Sequence, residues 1–212
     1  MNRHSNEFLN NLKPAEALQM LQEGNQRFVN KAGTTPDLLQ QVKETSGGQY
    51  PFATILSCMD SRTSVELTFN LGIGDVFSIR VAGNVLNEDI LGSMEYATKV
   101  VGTKIIMVLG HTSCGAIKGA CDHAELGHLT QLVNKVIPAI DQETTTQTER
   151  NGHNLTFVNH VAELNVRLVM EQITAQSPVI AELVEAGSVQ VVGGIYDIAT
   201  GQVTFLEAPV QA

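Results

Sequence analysis

The sequence predicts one α/β domain with a mainly parallel central sheet, about four parallel strands plus an antiparallel edge strand, flanked by helices and preceded by an N-terminal helical arm. Three observations predict it. Short β-rich runs alternate with helical segments, and a βαβα order builds a parallel sheet through right-handed crossovers. One run, "TKIIMVLG" (103–110), is almost continuously apolar, as a strand buried on both faces must be. A length of 212 residues, 43% hydrophobic and 17% charged, suits a single core.

The arm comes first. Residues 14–31, "PAEALQMLQEGNQRFVNK", place Leu18, Leu21, Phe28 and Val29 at near-helical spacing, and Pro14 suits a first helical turn. A polar stretch, "ETSGGQYP", then separates the arm (1–50) from the core (51–212). The arm belongs to the same domain and is expected to pack on a partner subunit. The strands are "FATILS" (52–57), "DVFSIRV" (75–81), "TKIIMVLG" (103–110) and "SVQVVGGIYD" (188–197). Helices are predicted over 89–102 and 159–176. "GQVTFLEA" (201–208) follows "DIATG" so closely that it should form a hairpin with 188–197 as the antiparallel edge. The polar segment 141–154 reads as a surface excursion or a helix junction.

Thirteen Lys+Arg against 22 Asp+Glu give a formal charge of −9, which argues against nucleic acid or an anionic membrane as partner. No window approaches the run of about 20 apolar residues that a membrane span needs. The first residues carry no continuous apolar stretch of the kind a secretory leader has. Three cysteines make a poor disulfide framework, so a reduced, cytoplasmic setting is expected, with cysteines as ligands, nucleophiles or core residues.

Ligands of parallel α/β sheets bind beyond the carboxyl ends of the strands. Cys58 follows one predicted strand directly and His111 another, so "SCMDSR" and "GHTSCG" can meet in one crevice if those strands are neighbours. His111 and Cys114, three apart, make a short ligand pair, and Cys58 would supply a third donor for zinc. A single Cys at a strand end is more often a small buried hydrophobe, and a single H-x-x-C is weak; their matched placement favours a metal. Cys121, in the following helix, reads as core. Three ligands leave an open fourth position, as a catalytic zinc requires. Asp60 could accept a hydrogen bond from a zinc-bound water, or bind the metal itself and close the site, with Arg62 holding it ionised. Two thiolates cancel the zinc charge, so a zinc-hydroxide nucleophile is expected to work best at alkaline pH.

These two segments resemble the C-x-D-x-R and H-x-x-C-G segments of the β-class carbonic anhydrases. "GIGDVFSIRVAGN" (72–84), "GSMEYA" (92–97) and "ALQMLQEGNQRF" (17–28) are also similar to that family, in order along nearly the whole chain. The resemblance implies one Zn2+ per chain on Cys58, His111 and Cys114, and a catalytic dyad of Asp60 and Arg62. It implies a substrate pocket of Gln49, Phe77 and Tyr96, partly supplied by a neighbouring protomer, with the N–H of Gly115 near the substrate. The implied reaction is reversible hydration of CO2 to bicarbonate and a proton, by a homodimer or homotetramer. Some family members hold an inhibitory bicarbonate against Trp, Arg and Tyr. Arg80 and Tyr196 match two of those positions, but Ile55 stands at the Trp position, and Gln49 matches the members whose site stays open.

Rival readings are the same zinc site acting on CS2 or COS, a zinc-binding module without turnover, and a nucleotide-binding α/β protein. The module would need only the three ligands, not Asp60, Arg62 and Gln49. "GIGD" and "VAGN" give neither a G-x-G-x-x-G turn nor a phosphate-binding G-x-x-x-x-G-K-[ST] loop.

Overall fold

In the computed structural model, which describes residues 5–33 and 37–206, five strands form one sheet: β1 (Ala53–Ser57), β2 (Val76–Arg80), β3 (Ile105–His111), β4 (Gln190–Tyr196) and β5 (Val203–Leu206). Their order is β2-β1-β3-β4-β5. The first four are parallel, and β5 returns antiparallel to β4 through a tight connection. The predicted sheet is therefore the observed one, with strand ends trimmed by a few residues; 207 and 208 lie outside the described residues.

From β1 the chain steps to β2 on one side, then crosses back over β1 to β3 on the other. The strand order reverses between β1 and β3, and such a switch point opens a crevice at the strands' carboxyl ends. Both strands are buried along their whole length, so neither face offers a polar side to water.

One face of the sheet packs Ala53, Ile55, Ile105, Met107 and Leu109 against the N-terminal helices α1 (Asn6–Asn11) and α2 (Pro14–Val29), which contribute Leu9, Ala17 and Leu21. Pro14 opens α2, and the Glu16 carboxylate accepts from the Lys13 N–H at 2.8 Å, satisfying one of the free donors of the first turn. The arm thus packs on its own sheet. Its predicted stripe divides: Leu21 is fully buried, while Phe28 and Val29 are exposed. Helix α3 (Leu38–Thr45) fills part of the stretch between α2 and β1 and leaves Leu38, Leu39 and Val42 exposed.

After β1 comes the short helix α4 (Val65–Thr68), and after β2 a turn at Ala82–Asn84 leads into α5 (Glu88–Glu95). The helix predicted over 89–102 changes to a wider π turn at Tyr96–Val101 and stops at Gly102, whose φ of +95° suits glycine. Beyond β3 lie α6 (Gly115–Cys121), α7 (Gly127–Asn134), α8 (Ile137–Gln142), α9 (Leu155–Gln176) and α10 (Pro178–Glu185). Helices α5, α9 and α10 cover the second face of the sheet, burying Leu56, Ile106 and Val108. Helix α9 lies close because β3 and β4 carry glycines under it: a Cβ on Gly110 would sit 2.7 Å from Val166 Cγ2.

Two buried polar side chains organise the main chain, one across distant segments and one within its own loop. Asn25, buried on α2, donates to Thr68 O and Gly201 O at 3.0 and 2.9 Å and accepts from Val203 N at 2.9 Å. Replacing Asn25 by alanine strands these buried backbone groups, and about 3 kcal/mol of stability is expected to be lost, read as a lower urea midpoint at unchanged slope. Glu143 makes the excursion after α8 more than a surface loop. Its buried carboxylate accepts from the N–H groups of Thr145 and Thr146 and from Arg150 at 2.7 Å. Arg150 in turn stacks over the buried Phe157 ring.

Candidate metal centre

The pairing of Ser57 with Leu109 brings Cys58 level with Gly110, one residue short of His111. The next turn, with Ser113 in the left-handed region (φ +56°), returns Cys114 to the same point at the start of α6. Asn159 of α9 accepts the Ser113 N–H at 2.9 Å and so holds that turn. Cys58, His111 and Cys114 are all buried, and their donor atoms lie within 4.8 Å of one another. Among the described residues no other group of His, Cys, Asp and Glu meets that test. Cys121 is buried in the core beneath α6, as predicted.

The donors suit a metal chemically. His111 Nδ1 lies 2.9 Å from the Thr112 carbonyl, which can only accept, so the ring proton sits on Nδ1. The Nε2 lone pair is therefore aimed into the site, and this buried atom has no hydrogen-bond partner in the protein. An orphaned buried acceptor is costly unless something binds it. The two sulfurs are 3.8 Å apart. Tetrahedral zinc with Zn–S of about 2.3 Å needs a sulfur separation of about 3.8 Å. The residues fit the ion.

Cys58 is pulled down to about 4, well below the usual thiol range. The Cys114 thiol donating to it is the main cause; burial opposes, while His111 and the N–H groups of Asp60 and Gly83 assist. Cys114, left holding the shared proton beside that thiolate and buried, is pushed up. Thiolates, not thiols, ligate a metal, so metal binding at this sulfur pair releases protons.

Asp60 lies on the rim. Arg62 grips its carboxylate with two side-chain bonds, Nε to Oδ1 at 2.9 Å and Nη2 to Oδ2 at 2.7 Å, and the Arg62 N–H adds a third at 2.9 Å. This guanidinium holds the Asp60 carboxyl well below the usual carboxylate range, against its partial desolvation. Asp60 Oδ2 stands 4.0 Å from His111 Nε2, next to the point the three donors surround.

The other sequence-predicted residues are placed differently. Gly115 opens α6 and is exposed, and a Cβ built on it would meet no atom within 4 Å. Gln49 is exposed in the segment before β1. Phe77 and Tyr96 meet with rings tilted by 58° and centroids 6.3 Å apart on the open β2 edge, lining a shallow pocket with Ile79 and Asp89. Phe77 is level with Thr54, so it lies about 13 Å back along the strand direction from Cys58, and one chain does not bring it to the three donors. Ile55 and Tyr196 are core residues.

Sequence reasoning missed the groups that hold the first metal loop. Gly83, with φ +69°, sends its N–H to Cys58 Sγ at 3.4 Å, and Asp60 N does the same at 3.4 Å. Asn165 of α9 donates to Gly83 O at 3.0 Å. Arg80 donates to Cys58 O and Asp60 O. All are contacts to backbone or sulfur, and apart from the Asp60 N–H they span long sequence separations, which leave no spacing signal.

A family model described as carbonic anhydrase matches residues 53–203. Carbonic anhydrase 2 of Mycobacterium tuberculosis is 36% identical over 200 residues, covering 91% of this chain and 92% of its own. A carbonic anhydrase of Mycolicibacterium smegmatis is 34% identical over 199 residues, covering 91% and 93%. Among solved structures, a β-carbonic anhydrase of Aspergillus fumigatus superposes with a TM-score of 0.72 at 25% identity, covering 93% of this chain and 92% of that one.

Proposed function

The chain belongs to the carbonic anhydrase family, in its β class, and from that premise we propose that it catalyses the reversible hydration of CO2 to bicarbonate and a proton on a zinc ion held by Cys58, His111 and Cys114. One observation carries the reading: three buried donors converge on one point, and beside it stands a carboxylate already pinned by an arginine. A zinc ion held there would supply Lewis acidity that lowers the pKa of water and makes it a nucleophile, at alkaline pH because two thiolates offset the metal's charge.

The chain's own residues do the rest. Thr112 O fixes the His111 tautomer that presents Nε2. Asp60, kept ionised by Arg62, can only accept, so it takes a hydrogen bond from the attacking water and orients a lone pair toward the substrate carbon. The grip of Arg62 on both carboxylate oxygens supports a site in which Asp60 orients water rather than closing the metal. Gly115 leaves room beside its N–H for a small linear molecule. Phe77 and Tyr96, on the open edge, serve the site of a second copy, which makes the working form a homodimer or homotetramer. A structure described as a tetrameric β-carbonic anhydrase, from Sordaria macrospora, shares the fold at a TM-score of 0.66 and 24% identity.

A reducing compartment, the cytoplasm, suits this centre, because two sulfurs 3.8 Å apart would be lost as ligands if oxidised to a disulfide. No helix among the described residues is long and apolar enough to cross a membrane.

Stopped-flow CO2 hydration from about pH 6.5 to 9, on protein of known zinc content, tests the reading. One zinc per chain with activity rising toward alkaline pH is the expected result. One zinc per chain with no hydration at any pH would overturn it in favour of CS2 or COS as substrate, or of a module without turnover.

A further inference from the structure

Arg80 ends β2 opposite Ser57, and its side chain leaves the strand toward the loop that carries Cys58 and Asp60. Nε donates to Cys58 O at 3.1 Å and Nη2 to Asp60 O at 2.7 Å. The two carbonyls flank Met59, a residue that is 64% exposed and so anchors the loop little. Thr63 Oγ1 approaches the same two carbonyls, at 3.1 and 2.9 Å, but one hydroxyl has one proton and cannot satisfy both. A planar guanidinium reaches both at once; an ammonium, as a point donor, would have to choose.

We infer that Arg80 is a positioning residue: its fork fixes the main chain on both sides of Met59 and thereby sets where the Asp60 carboxylate stands against the three donor atoms. The 4.0 Å between Asp60 Oδ2 and His111 Nε2 depends on where the Asp60 backbone sits. A displacement of about 1 Å at such a group costs roughly 100-fold in rate. The inference rests on the reading that Cys58 and Asp60 belong to the catalytic centre.

The test uses zinc-loaded full-length protein, with Arg80→Ala and Arg80→Lys beside the parent. The kcat for CO2 hydration is expected to fall roughly 10- to 100-fold in both variants, with KM changed less and zinc content unchanged. Amides of 58–62 should exchange hydrogen for deuterium faster. Guanidinium ion should restore part of kcat in Arg80→Ala and none in Arg80→Lys, where the ammonium occupies the space. Parental kcat with unchanged exchange in the variants would overturn the inference. So would parental kcat accompanied by loss of bicarbonate inhibition, which would make Arg80 an anion receptor. If the parent itself hydrates no CO2, the functional reading fails, and amide exchange still decides whether Arg80 holds the loop.

Discussion

Replacing Cys114 by serine is expected to leave the protein folded but nearly free of zinc, with CO2 hydration down by more than about 100-fold, beyond what losing a supporting partner alone costs. Serine keeps the volume of a buried side chain that closes the core under α6. It does not keep the chemistry, because a soft, easily ionised sulfur is exchanged for a hydroxyl that holds its proton at neutral pH. Cys58 also loses the thiol that contributes most to its low pKa. Metal analysis on the purified variant, beside stopped-flow rates, checks both halves. A serine variant that keeps stoichiometric zinc and parental activity would remove Cys114 from the ligand set.

Asp60→Asn separates orientation from metal binding. The amide is the same size, yet it cannot accept from Arg62 at both of its terminal atoms, since one of them is now a donor itself. We expect zinc content to stay at the parental level and kcat to fall by about 10²–10⁴-fold. The pH profile carries the sharper test. Arg62 lowers the Asp60 pKa below its unfolded value of about 3.9, so the pair is intact above that value and is lost only as pH falls through the lower, folded value. Asp60 is therefore charged throughout the working range, and the decline of activity expected toward neutral pH must have another source. The variant's curve should lie below the parent's at every pH with the same midpoint. A shifted midpoint would make Asp60 the titrating group.

Much of this was legible in the sequence because it depends on position along strands. The apolar runs at 52–57 and 103–110 became β1 and β3, and residues just past buried parallel strands must gather at one end of the sheet. That is how Cys58, His111, Cys114, Asp60 and Arg62 could be singled out, and the structure brings them together. Helix α3 was not, because Leu38, Leu39 and Val42 face outward and mark no core. Helix α10 was missed because Ser177 both ends α9 and caps α10, accepting from Ile180 N at 3.2 Å with Pro178 next, so two helices abut without a loop. The helix before β3 was drawn as one piece because its π turn keeps a helical pattern while widening the backbone. Asn25, Asn159, Asn165 and Glu143, and the loop contacts of Arg80, were invisible for a common reason. Their partners are largely main-chain atoms, supplied by whatever residue folding brings near, so no residue type at the other end announces them.

The complete burial of β1 has a consequence for how the chain finds its native pairing. A strand with one wet face is aligned by the contrast between its two sides, but β1 has no such contrast, since Ala53, Ile55 and Leu56 are all fully buried. Sliding it by one residue against β3 would exchange its two faces at a small hydrophobic cost. The same slip would swing Cys58 away from Cys114 and leave His111 Nε2 without the thiolates that complete its site. A metal ion bound at the end of β1 and β3 would therefore act as a proofreader, favouring the alignment in which Ser57 faces Leu109.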